Sequence, residues 1–82
     1  MISLAERATG PITLRAPVGG TVLFHAPSAL CGELEVFEAG AVVADVGHVE
    51  VCAPARGFVV RHLAAEGTPV EQAMPLVLFR RA

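Results

Sequence analysis

The 82-residue sequence contains no lysine; its six basic residues are all arginines, Arg7, Arg15, Arg56, Arg61, Arg80 and Arg81. Chemistry that needs a side-chain primary amine is therefore excluded, Schiff bases and amide-linked prosthetic groups included. Charge is scarce overall: charged residues make up 17% and the formal net charge is -2, so no basic field argues for nucleic acid. Long apolar runs are missing too. The longest stretch without Asp, Glu, Lys or Arg runs from Ala16 to Gly32, and its prolines, glycines and His25 exclude a membrane span. Met1 to Arg7 lack the basic end and apolar block of a signal peptide. Cysteine is limited to Cys31 and Cys52, which read as two reduced thiols of a cytoplasmic protein.

Apolar residues make up 54% and the mean hydropathy is +0.61, too apolar for a disordered chain. The length allows one domain, and a domain of this size buries only about 60% of its unfolded surface. Turn signals recur at Gly10-Pro11, Gly19-Gly20, Ala26-Pro27, Ala39-Gly40, Val46-Gly47, Ala53-Pro54, Gly67-Thr68-Pro69 and Met74-Pro75. That spacing predicts an all-β sandwich or barrel. The one helical stretch, residues 2–8, is too short to be stable alone and reads as part of an N-terminal arm, 1–11, before a domain spanning 12–82.

The chain repeats itself at an offset of 37: Ala16 aligns with Ala53, Pro17 with Pro54, Gly20 with Gly57, Val22 with Val59 and His25 with His62. A second stretch aligns Gly32 with Gly67, a slip of two residues. Halves this small must share one core, most simply as two four-stranded sheets related by a pseudo-twofold axis. Alternation turns Ile12, Leu14, Ala16, Val49, Val51 and Ala53 inward and Thr13, Arg15, Glu50 and Cys52 outward. Between the halves, apolar runs on both sides of Asp45-Val46-Gly47 predict a β-hairpin.

The pattern resembles the biotinyl/lipoyl carrier domain, in particular the biotin carboxyl carrier proteins of acetyl-CoA carboxylases. The segments that carry the resemblance are Ile12–Val22 and Ala26-Pro27-Ser28 in the first half. In the second they are Ala53-Pro54-x-x-Gly57, Ala65-Glu66-Gly67-x-Pro69-Val70-Glu71 and Pro75–Phe79. The resemblance implies a flattened barrel of two four-stranded sheets. It also implies a biotinylated lysine, flanked by methionines, at the tip of the central hairpin, eleven residues before the second-half glycine. Counting eleven back from Gly57 reaches Val46, and the tip reads Asp45, Val46, Gly47, His48. The segment between Ser28 and Gly40 is also short, which implies loss of the protruding thumb. The resemblance therefore supplies the fold and denies the covalent cargo: no bound cofactor is expected.

Other constellations are weaker. His25 and His62, aligned in the repeat, are candidates for an acid/base pair, with Arg61 and Asp45 as further candidate catalytic groups. Cys31, Cys52, His25, His48 and His62 lack ligand spacing, so no metal is expected. Glu33, Glu35, Glu38 and Glu50 read as a solvated strand face, and Arg80-Arg81 as a solubilising end. The apolar surplus says more. Leu23, Leu30, Phe37, Val46, Val60 and Val77 cannot all be interior in so small a barrel, so part of the surface must be apolar and marks a protein partner or homodimer. Three functions follow as expectations. The first is a carrier-like protein that cannot be biotinylated and acts by contact, as an accessory or regulatory subunit of an acyl-CoA carboxylase or related synthase. The second is a repurposed barrel that binds or cyclises a small apolar intermediate in polyketide or other specialised metabolism. The third is a structural homo-oligomeric module.

Overall fold

The computed structural model describes residues 10–82; the arm expected over 1–11, with its helical stretch, lies almost wholly outside them. The chain forms nine strands and, among the described residues, no helix: β1 (Ile12–Arg15), β2 (Gly20–Phe24), β3 (Ala29–Cys31), β4 (Leu34–Phe37), β5 (Val42–Val46), β6 (Val49–Cys52), β7 (Gly57–His62), β8 (Pro69–Val70) and β9 (Pro75–Arg81). Two antiparallel sheets pack as a sandwich. One has five strands in the order β1-β9-β7-β4-β3, the other four in the order β6-β5-β2-β8. Their inner faces are lined by Leu14, Phe37, Val43, Val59, Val77 and Phe79 at one end and Ala16, Val22, Ala44, Val46, Val70 and Leu76 at the other. Each fully buried Val, Leu or Phe contributes about 1.5–3 kcal/mol.

The strand order contains the expected dyad. Exchanging β1 with β6, β2 with β7, β4 with β8 and β5 with β9 turns the run β1-β9-β7-β4 into β6-β5-β2-β8. Each sheet thus mixes strands from both halves. The glycines Gly20 and Gly57 mark equivalent close approaches. A Cβ on Gly20 would lie 2.9 Å from the Gly47 nitrogen, and one on Gly57 would run into the Arg80 carbonyl and the Phe79 ring.

Three expectations are corrected. The sheets are not both four-stranded, because β3 adds a fifth strand beyond β4. The slip in the repeat is four residues rather than two. Ala41 N–H donates to Glu38 as Met74 N–H donates to Glu71, and Gly40 N–H donates to Ala53 as Ala73 N–H donates to Ala16, so 41 matches 74 and 40 matches 73 at an offset of 33. The net surplus of the first half is four residues (37 minus 33): five extra residues between His25 and Glu35 are spent on the β3–β4 hairpin, and one residue inserted in β7 offsets them. Val49, expected inside, is exposed where β6 leaves the β5–β6 turn, at the edge of the four-stranded sheet.

Period-two patterning also fails at two equivalent bulges. The register skips Val43 where β5 meets β6 and Leu76 where β1 meets β9. Consecutive residues Val43 and Ala44, and likewise Leu76 and Val77, are all buried.

Candidate functional site

The hairpin of β5 and β6 closes through a two-residue loop, Gly47 and His48, between the paired residues Val46 and Val49. Gly47 has φ +62, and glycine at the first loop position is what a tight II′-type hairpin turn requires. Its N–H donates to the Thr21 carbonyl at 3.2 Å, tying the tip to β2. Asp45 and Val46 therefore do not belong to the tip, contrary to expectation. Asp45 sits within β5 opposite Glu50, and Val46 is 0% exposed in the core. The apex side chain is His48, which is exposed.

The two histidines aligned in the sequence repeat do not form a pair. In β7 the register skips Val60, between Val59 and Arg61, and β2 has no such bulge. Beyond that point the equivalence shifts by one residue. Leu23 opposite Asp45 matches Arg61 opposite Leu78, so Phe24 matches His62. These two rings meet edge to face with centroids 4.4 Å apart. His25 lies on the outer face of the four-stranded sheet, where its Nε2 is 2.6 Å from Asp45 Oδ2. His62 Nε2 is 3.2 Å from Glu35 Oε2 on neighbouring β4. Glu66 accepts the Phe24 N–H at 2.9 Å. Arg61, opposite Leu78, shares the outer face of the other sheet.

Of the four candidate catalytic residues, the structure joins only His25 and Asp45. Both are partly exposed, and no serine or cysteine bonds to them among the described residues. Nor do three metal-binding side chains gather anywhere among the described residues. Cys31 and Cys52 are free and exposed on different sheets. Sequence reasoning missed the Phe24–His62 contact. An inserted residue in β7 leaves no mark in the alignment, because His25 and His62 offer a coincidental match one position away.

The fold is an antiparallel β-sandwich, biotinyl-domain-like in architecture, whose central hairpin ends in glycine and histidine. No family model and no curated protein matches the chain. Among solved structures it is similar to part of a single-chain, multi-domain long-chain acyl-CoA carboxylase, with 27% identity and a TM-score of 0.71. The match covers all of this chain and 8% of the carboxylase. No helix among the described residues is long and apolar enough to cross a membrane.

Proposed function

We propose that this chain is a carrier-like domain that carries no covalent cargo and acts by protein contact, as an accessory or regulatory part of an acyl-CoA carboxylase or related synthase. The observation that carries the reading is the apex. A carrier-type sandwich similar to a segment of a carboxylase ends its central hairpin in Gly47-His48, in a sequence without lysine. A swinging carrier needs a tether, and imidazole does not form the stable amide that an ε-amine does. What remains is the surface, and its exposed Leu23, Leu30 and Val60 are the residues of a contact protein. No pocket forms among the described residues, so no observation favours the reading in which a small apolar intermediate is bound or cyclised.

The test has two measurements. Incubation with biotin protein ligase, ATP and biotin leaves the intact mass unchanged. In calorimetric titration the protein binds a purified acyl-CoA carboxylase. A biotinyl or lipoyl adduct on the protein purified from its own cells would end this reading.

A further inference from the structure

The outer face of the five-stranded sheet has a composition that the dyad does not explain. Paired residues of antiparallel strands share a face. Phe58 pairs with Val36 and with Arg80, and Val36 pairs with Ala29, making one row across four strands. A second row holds Cys31 opposite Leu34, then Val60 on the β7 bulge, then Arg61 opposite Leu78. This side faces away from the core: Val59, Val77, Phe79 and Phe37 point the other way, and Val36, though buried, belongs to neither core cluster. Leu34 and Val60 are exposed, Val60 by 44%. At the free edge, on a strand without proline or charge to guard it, Ala29 and Cys31 extend this face, while Leu30, paired with Glu35, is turned to the other side.

Charge divides the two sheets. The strands of the five-stranded sheet hold Arg15, Arg61, Arg80 and Arg81 and a single acid, Glu35, which is turned to His62. Arg61 and Arg80 make no ion pair among the described residues. The strands of the four-stranded sheet hold no arginine, and Asp45 and Glu50 lie opposite each other on its outer face. A symmetric dimer through the five-stranded faces would set arginine against arginine around a desolvated patch. An apolar surface bordered by carboxylates meets the same patch with opposite charge.

We propose that the outer face of the five-stranded sheet, centred on Phe58, Val60 and Leu34 and flanked by Arg61 and Arg80, is a docking surface for a protein partner whose contact area is apolar and rimmed by carboxylates. The identity of that partner as a carboxylase component rests on the function proposed above; the face and its chemistry do not.

The two cysteines report which face is covered, since Cys31 lies on the apolar face and Cys52 on the outer side of the other sheet. Their iodoacetamide alkylation rates are measured in the folded protein alone, with a purified acyl-CoA carboxylase, and with bis-ANS, a dye that is both apolar and anionic. Carboxylase and dye each slow Cys31 and leave Cys52 unchanged. The double variant Arg61→Glu/Arg80→Glu and the single variant Val60→Ser, each checked for a native unfolding transition, weaken both associations about tenfold, the scale of an interface anchor. Carboxylase binding that shields Cys52 or neither thiol, or that ignores both variants, overturns the face and leaves the proposed function standing. Dye shielding of Cys31 without carboxylase binding supports the face and defeats the proposed function. Failure of the dye to shield Cys31, or a concentration-dependent increase in sedimentation that buries Cys31 against a second copy, overturns the proposed docking surface.

Discussion

At the scale of single residues, Ala73 is the side chain most at odds with its backbone. It has φ +70, and its dyad equivalent is Gly40, at φ +81. Ala73 is held there from both sides, with its N–H on the Ala16 carbonyl and its own carbonyl accepting from Arg15 at 3.0 Å. An L-residue in that region is strained by about 1–2 kcal/mol. Ala73→Gly is therefore expected to raise the unfolding midpoint, with a gain of about 1 kcal/mol after glycine's extra chain entropy is counted; a lower midpoint in thermal unfolding would contradict the assignment. Gly57→Ala has the opposite sign. The new methyl meets the Arg80 carbonyl and the Phe79 ring in a packed core, and a loss of about 1–3 kcal/mol is expected from denaturant unfolding. The need for glycine at 20 and 57 was visible in the repeat itself. The strain at Ala73 was not, because the alignment slip of two hid its match to Gly40.

At the scale of elements, the central hairpin separates two substitutions that a count along the sequence confuses. Val46 stands at the carrier-lysine spacing but is sealed in the core. Val46→Lys buries an unpaired ammonium, at about 3 kcal/mol or more, and is expected to unfold the domain in circular dichroism. His48→Lys places the amine at the exposed apex and is expected to fold normally. It stays unlabelled by biotin protein ligase because Gly47 and Val49 stand where the resemblance puts methionines; a biotin-sized mass gain would show that the apex geometry alone suffices. Alternation correctly turned Leu14, Ala16 and Ala53 inward. It could not reveal the bulges, since an extra residue buries two neighbours in a row. Nor could it find β3, whose residues are all exposed and carry no inward face to alternate.

At the scale of the whole molecule, neither half owns a sheet. β1 lies against β9, and β5 lies between β6 and β2. Cleavage at the Gly47–His48 loop is expected to leave two fragments that show no cooperative melt apart and regain one when mixed; a folded single fragment would refute the shared core. The dyad and the all-β class were legible because duplication repeats whole motifs, Ala-Pro-x-x-Gly above all. The site was legible only by what it lacks. Which residues converge depends on strand register, and one inserted residue in β7 separates His25 from its aligned partner.

That insertion has a wider consequence. A true twofold axis between identical subunits must place the same group on both sides of itself, so whatever sits there is doubled. Here the halves share one chain, and a one-position shift at Val60 sets an imidazole against a phenyl ring where symmetry would demand like against like. Two halves within one chain thus reach what a homodimer cannot, unlike side chains at equivalent positions meeting across the axis, so that its left and right sides are chemically distinct.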